Sequence, residues 1–311
     1  MTACMFVKKN KVMSDKEENF GEALRRGRTM ILDGAVGTML WRDGLTHCEA
    51  LNLQDGDAVA ALHRRYVAAG ADIITTNTTC ANSVDMGADM AVELARRGAE
   101  IAAGVAKECA ATRKVWVAGS MGPTGVPLTK CQEREAVVEA AFASQAEALM
   151  TGGVDLLLVE TCYDERNAMA AMRGIATAHE RLGRSVPVVV TGTVGDDHGR
   201  IASGQTLGQL CAAVRQVGAV AAFGLNCSFG VTDSLVGLVE RLAAEVDLPL
   251  VVYPSAGMPD ASGRYGLAPE RFAEVMCRVA AVDGVKIVGG CCGTTPRHIA
   301  ALSKAMKRHE A

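Results

Sequence analysis

Aromatic residues, basic charge and long apolar runs are all scarce in this chain. Only 4% of its 311 residues are Phe, Trp or Tyr, and small aliphatic residues and glycine dominate instead. This composition favours helices packed on a parallel sheet over an all-β sandwich. The net charge of −3 provides no broad basic face, so neither nucleic acid nor a membrane surface is an expected partner. No apolar stretch approaches the roughly 20 residues of a membrane span.

The first residues also lack the order of charges that marks an export signal. A short apolar patch, Met5-Phe6-Val7, comes before a group of lysines, whereas a signal peptide has its charges before its apolar core. We predict a disordered tail over residues 1–20 and a single domain over 21–311. Eleven cysteines, an odd number, without an export signal indicate a reducing, cytoplasmic environment.

Short apolar runs alternate with longer helical patterns along the rest of the chain. Eight such runs, mostly apolar, predict parallel strands buried on both faces. Glycines after the helical patterns, at Gly70, Gly152-Gly153 and Gly218, predict left-handed helix caps. The rhythm predicts a (β/α)₈ TIM barrel as a single α/β domain. A doubly wound open sheet is the alternative, although no Gly-x-Gly-x-x-Gly follows the first strand. The runs are 29–32, 72–75, 115–118, 155–159, 187–190, 220–223, 248–252 and 285–288.

Polar residues and cysteines follow these strands, at the end of a barrel where active sites form. Cys227 follows the sixth strand, and Cys291 and Cys292 follow the eighth. Three thiolates from two strand ends match a catalytic zinc, which takes three protein ligands and keeps one open position. Neighbouring residues of an extended strand point to opposite faces, so we expect Gly289, Gly290 and Gly293 to allow a twist there. Three ordinary buried cysteines, or a vicinal disulfide, are the alternatives.

The open position of such a zinc could hold a substrate thiol as a thiolate, which suits alkyl transfer. Activation of water for hydrolysis is the competing use. Hydrolytic zinc generally has His or carboxylate ligands, and no histidine lies at a predicted strand end beside the thiols.

Two carboxylates follow strands of the same barrel. Asp33 and Glu160 end the first and fourth strands, and a charge placed directly after a buried strand needs a partner. Two acids can hold an ammonium, and the amides of the loop from Gly34 and Ala35 to Gly37 can bind a carboxylate. Together they predict recognition of an amino acid through its α-groups.

Several of these segments resemble the homocysteine S-methyltransferases. They are 33–38, Glu160-Thr161, Asn226-Cys227 and 289–296, and the segments 192–206 and 253–259 resemble the homocysteine domain of cobalamin-dependent methionine synthase. The resemblance implies a zinc-dependent barrel that methylates homocysteine to methionine. It implies Cys227, Cys291 and Cys292 as Zn²⁺ ligands, Asp33 and Glu160 at the homocysteine amine, Gly34 and Ala35 near its carboxylate, and Asn226 in the substrate site.

The methyl donor follows from the resemblance less directly. We see no folate-type barrel and no Asp-x-His-x-x-Gly corrinoid signature, so methylcobalamin would come on a separate corrinoid protein. S-methylmethionine or S-adenosylmethionine is the alternative donor, and a non-catalytic metal-binding partner of a corrinoid protein is a further alternative. A Schiff-base aldolase would need a lysine at the far end of a strand, whereas Lys286 lies near a strand start and Lys130 lies in the loop after the third strand. Cys80 follows the second strand and is a candidate fourth zinc ligand in the absence of substrate.

Overall fold

The structure, a computed structural model, describes residues 19–41 and 45–310. The predicted tail therefore lies outside the described residues except for its last two positions, and Phe20 opens the first helix. In the described part, eight parallel strands form one sheet in the order β1-β8-β7-β6-β5-β4-β3-β2. The strands are β1 Met30–Ile31, β2 Ile73–Thr75, β3 Trp116–Met121, β4 Leu156–Cys162, β5 Val188–Gly192, β6 Ala222–Cys227, β7 Leu250–Pro254 and β8 Val285–Val288.

The two edges of this sheet meet, which closes it into a barrel. Leu32 and Ile73 form a parallel bridge that joins β1 to β2. The amide of Asp33 donates to the carbonyl of Ile73 at 2.9 Å, and the amide of Asp72 donates to the carbonyl of Ile31 at 2.6 Å. The predicted (β/α)₈ architecture is confirmed.

Helices cover the outside of the barrel between successive strands. The α-helices of the described residues are α1 Phe20–Arg26, α2 Gly37–Leu40, α3 Leu51–Gln54, α4 Gly56–Ala69, α5 Ser83–Met86, α6 Ala88–Cys109, α7 Glu135–Gly152, α8 Glu165–Leu182, α9 Leu207–Val217, α10 Asp233–Glu245, α11 Pro269–Ala280 and α12 Pro296–Glu310. Two short 3₁₀ turns occur at Cys48–Ala50 and Gln132–Arg134. Within these ranges no helix is long and apolar enough to cross a membrane.

Two of the three predicted glycine caps are confirmed. Gly70 ends α4 and Gly153 ends α7, both in the left-handed region, with φ of 108° and 99°. The cap predicted at Gly218 is wrong, because this residue is extended, with φ of −166°. Only a few residues separate it from β6, and the chain leaves the helix in a conformation that already leads into that strand.

Alternation along the strands divides the barrel interior into an apolar base and a polar mouth. The base includes Leu32, Ile73, Leu158 and Val251, and α1 closes it, with the ring of Phe20 5.5 Å from that of Trp116. Side chains of a strand point alternately inward and outward, so each strand also has inward-facing positions nearer its carboxyl end. Those positions carry polar groups, namely Thr75, Ser120, Glu160, Thr191, Asn226 and Tyr253.

Several strands extend further than their apolar runs. The fourth run ends at Val159, but β4 continues to Cys162, and β6 continues to Cys227. Glu160 and Asn226 therefore lie inside strands, where backbone pairing fixes their direction into the barrel, and not in loops as the sequence had indicated.

Candidate thiol and carboxylate site

The structure brings Cys227, Cys291 and Cys292 together at the barrel mouth. Their sulfurs all lie within 4.8 Å of one another. The Cys227 Sγ lies 2.6 Å from that of Cys291 and 3.9 Å from that of Cys292. All three are free thiols and are half-buried, so they are neither fully buried packing residues nor a vicinal disulfide.

Backbone geometry at two chain turns produces this convergence. Cys227 and Ser228 have φ of 52° and 56°, a left-handed conformation that is uncommon outside glycine and turns the end of β6 toward the mouth. At the end of β8 the chain has already left regular extended geometry, since the strand stops at Val288. The alternation that would separate Cys291 from Cys292 therefore does not apply.

The three glycines around these cysteines act in two different ways. Gly293 has φ of 76°, and a Cβ there would lie 2.0 Å from the ring of Tyr265. Gly289 and Gly290 are outside the left-handed region, so the twist expected of them is absent. Their role is close packing, because a Cβ would lie 2.7 Å from Leu32 Cβ and 2.5 Å from Thr294 Oγ1 respectively.

Asn226 directs its amide toward the sulfurs. Its Nδ2 lies 3.6 Å from Cys227 Sγ and 3.8 Å from Cys291 Sγ. Its Oδ1 accepts hydrogen bonds from the Thr161 amide at 2.8 Å and the Thr191 hydroxyl at 2.9 Å. This fully buried side chain is thus held with its donor facing the thiols, and N–H groups there favour negatively charged sulfur.

The electrostatics of the three sulfurs suit a cation. Hydrogen bonds from the Cys227 and Cys291 thiols hold the pKa of Cys292 well below its usual range. Hydrogen bonds with Cys227 and Cys292 raise the pKa of Cys291, and so does repulsion from their charge. Only part of the cluster therefore ionises easily. Two sulfurs on a tetrahedral zinc are about 3.8 Å apart for Zn–S bonds of about 2.3 Å, so the Cys227–Cys292 spacing fits and the Cys227–Cys291 pair must open by about 1 Å.

Asp33 lies beside this cluster and is only 1% exposed. Its carboxylate accepts hydrogen bonds from the Thr75 amide at 2.8 Å and from the Thr75 hydroxyl at 3.1 Å. Burial raises its pKa well above the usual range, and the nearby Glu160 raises it further. The hydrogen-bond donors are neutral, so this carboxylate has no compensating positive charge among the described residues.

Glu160 is in the same situation on the opposite part of the mouth. Ser120 and Tyr253 donate to its carboxylate through their hydroxyls, the second at 3.3 Å, and Asn226 Nδ2 lies 3.4 Å away. Burial raises its pKa to about 7 even though these hydrogen bonds oppose the shift. Two buried acids with neutral partners are prepared for a cationic ligand.

The first loop is held tightly by its neighbours. The Tyr66 hydroxyl donates to the Ala35 carbonyl at 2.7 Å, and the Ala35 amide donates to Thr294 Oγ1 at 3.0 Å. That amide is therefore already bonded, whereas the Gly34 amide makes no hydrogen bond to other described residues. A Cβ on Gly34 would lie 2.7 Å from Thr294 Oγ1 and 2.9 Å from the Tyr66 hydroxyl.

The three cysteines, the two carboxylates and the Gly34-Ala35 loop line one cavity of about 480 Å³, whereas the buried Asn226 is not among its lining residues. Its described lining contains no lysine, and Lys286 lies near the start of β8, away from the mouth, so the Schiff-base alternative gains no support. Cys80 also lines the cavity, but its sulfur is grouped with His47 and Glu49 and not with the three-cysteine cluster.

Sequence reasoning missed several members of the site. Ser120, Thr191 and Tyr253 orient Glu160 and Asn226, and Tyr265, which packs against Gly293, helps to lower the pKa of Cys292. The first three were accessible from the sequence, because they continue the inward-facing rows of their strands with a period of two. Tyr265 lies in a long loop after β7, where no periodicity indicates its direction.

Comparison with known proteins identifies the family of this chain. Residues 30–306 match the family described as homocysteine S-methyltransferase. Methionine synthase of Mycobacterium leprae (strain TN) is 37% identical over 298 residues, and that of Mycobacterium tuberculosis (strain ATCC 25618 / H37Rv) is 36% identical over 296. Each alignment covers 90% of this chain but only 24% and 25% of the relatives, so the chain spans about a quarter of their length.

Solved structures show the same fold. The metallated form of the homocysteine methyltransferase MmuM from Escherichia coli superposes with a TM-score of 0.74 at 23% identity, covering 90% of this chain and 97% of that one. The apo form gives 0.71 at 25% identity, covering 91% and 97%. The chain belongs to the homocysteine S-methyltransferase family, as its motifs indicated.

Proposed function

We propose that this protein transfers a methyl group to the sulfur of homocysteine and so forms methionine. One observation carries the proposal: three free thiols and two buried, uncompensated carboxylates face a single cavity of about 480 Å³. This combination provides a metal site for a sulfur beside a site for an ammonium.

The amino acid would bind through its charged α-groups. Its ammonium would lie at Asp33 and Glu160, where it would offset the cost of ionising two buried acids. Its carboxylate would accept from the amide of Gly34, a residue of the cavity lining whose amide makes no hydrogen bond within the described structure. The Ala35 amide would contribute only by exchanging its bond to Thr294.

Cys227, Cys291 and Cys292 would hold a zinc ion. Their chemistry fits the ion, because thiolates favour zinc over magnesium or calcium and three protein ligands leave a position for substrate. When bound, zinc would keep the substrate sulfur as a thiolate near neutral pH. Asn226 would support the negative sulfurs through its amide, and Thr161 and Thr191 would keep that amide oriented.

We assign the donor to a methylcorrinoid carried by a separate protein. The likeness to proteins named methionine synthase supports this choice. The cavity also suits a macromolecular donor, since the large apolar side chain of Trp41 on its lining is 58% exposed. A small sulfonium donor is the second candidate, supported by the match to nearly the whole of a protein named homocysteine methyltransferase.

A donor comparison tests these assignments. The reduced, zinc-loaded protein is mixed with homocysteine and, separately, with methylcobalamin, a methylated corrinoid protein, S-methylmethionine or S-adenosylmethionine, and methionine is quantified by mass spectrometry. We expect methionine from the corrinoid donors, and none from any donor with Cys227→Ser. Product from a sulfonium compound alone would select the second candidate. No methionine from any donor, with zinc bound, would leave the non-catalytic metal-binding role.

A further inference from the structure

A second group of metal-ligand side chains lies in the mouth of the barrel, apart from the three cysteines. It consists of His47, Glu49 and Cys80, whose ligand atoms all lie within 4.8 Å of one another. Cys80 follows β2, whereas Cys291 and Cys292 follow β8, and β1 lies between these two strands. The two groups therefore occupy different parts of the wall of one cavity.

Hydrogen bonding fixes this second group in place. Glu49 lies in the 3₁₀ turn Cys48–Ala50, and its Oε1 accepts the amide of Cys80 at 2.8 Å. The bond joins the segment that carries His47 to the segment that carries Cys80. The neighbouring Cys48 thiol lies 3.2 Å from Asn77 Oδ1, so it has a partner outside the group.

Glu49 is a buried carboxylate that forms no ion pair with a lysine or arginine of the described residues. It is 2% exposed and accepts the neutral Cys80 amide, while the single proton of the Cys48 thiol has its shorter contact with Asn77 Oδ1, at 3.2 Å against 3.6 Å to Glu49. A buried charge needs a cation or a metal to be stable. His47 and Cys80 are half-buried and open to the cavity, so an ion has a route of entry.

We propose that His47, Glu49 and Cys80 form a second divalent-cation site of the zinc class. Imidazole, carboxylate and thiolate are all zinc ligands, and a set with nitrogen and sulfur disfavours magnesium and calcium. Binding releases the thiol proton of Cys80, so affinity rises with pH. Three protein ligands leave a coordination position for water or for an anionic group of a molecule in the cavity.

Metal stoichiometry tests this site without reference to turnover. The reduced protein is saturated with zinc, passed through a desalting column and measured by elemental analysis against protein concentration. We expect two zinc ions per chain in the wild type and one in His47→Ala and in Cys80→Ser. Two control variants, His198→Ala in an exposed loop and Cys109→Ser at the end of α6, should keep two.

A complementary variant isolates the second site. Replacing Cys227 and Cys292 by serine should leave one zinc ion, and adding His47→Ala to that variant should remove it. Cobalt substitution gives a second readout, since Cys80→Ser should abolish the thiolate-to-cobalt absorption that remains in the Cys227→Ser, Cys292→Ser protein. Circular dichroism verifies that each variant is folded.

One zinc ion in the wild type, or two in His47→Ala and Cys80→Ser, would overturn the second site. This result is distinct from failure of the proposed function. If the protein binds a single zinc through Cys227 and makes methionine, the proposed function stands and the second site is refuted. If it binds two zinc ions but makes no methionine, the second site stands and the proposed function is refuted.

Discussion

Glu160→Gln tests whether the buried carboxylates hold the ammonium of the substrate. Burial raises the pKa of Glu160 from 4.5 to about 7, so near pH 8 this carboxylate is mostly ionised and has no cationic partner among the described residues. A bound ammonium supplies that partner, and its charge-assisted hydrogen bonds contribute roughly 1.5–3 kcal/mol each. Glutamine has nearly the same shape but no charge. We expect a loss of about 2 kcal/mol, which is roughly a 30-fold decrease in kcat/KM for homocysteine.

The assay measures initial rates of methionine formation near pH 8 with a fixed donor, and then repeats them with 4-mercaptobutanoate, which lacks the amine. With this analogue the wild type and Glu160→Gln should react at similar rates. The control is Glu240→Gln, an exposed position on α10 that should leave both substrates unaffected. Equal kcat/KM of the variant and the wild type for homocysteine would refute the reasoning. So would an equal loss for the analogue, because the defect would then be structural.

Three further predictions concern stability and metal affinity. Between about pH 4.5 and pH 7 folded Glu160 keeps a proton that the unfolded chain releases, so the free energy of unfolding should fall as pH rises through this window, and urea titrations should show a shallower fall in Glu160→Gln. Gly34→Ala should lower the free energy of unfolding by about 1–3 kcal/mol through contact with Thr294 and Tyr66. Its matched control is Gly104→Ala on α6, where the added Cβ meets nothing within 4 Å and should stabilise the protein slightly. Asn226→Ala should weaken zinc binding about 10- to 100-fold in competition with a chelator, and unchanged affinity would show that its amide does not support the thiolates.

Much of this architecture can be read from the sequence because the barrel obeys simple periodicities. Each of the eight apolar runs overlaps an observed strand, since both faces of a parallel strand are buried. The end of the barrel where Cys227, Asp33 and Glu160 gather follows from the topology alone. The exact strand ends do not follow from the sequence. Glu160 and Asn226 are polar and were placed after their predicted strands, although both lie inside strands and point into the polar mouth.

Other features depend on contacts that local sequence does not encode. The extended conformation of Gly218 and the left-handed conformation of Cys227 are set by where the chain must go next, and not by residue type. Gly289 and Gly290 exist to allow close packing against Leu32 and Thr294, and their sequence context indicated a twist instead. The grouping of His47 with Glu49 and Cys80 joins segments about thirty residues apart, and no spacing rule predicts it.

X-ray absorption at the zinc edge tests the central claim most directly. The Cys80→Ser variant, loaded with one equivalent of zinc under reducing conditions, should show three sulfur ligands at about 2.3 Å. Addition of homocysteine should raise the number of sulfur ligands to four. A spectrum dominated by nitrogen or oxygen ligands, or one that homocysteine leaves unchanged, would contradict the account.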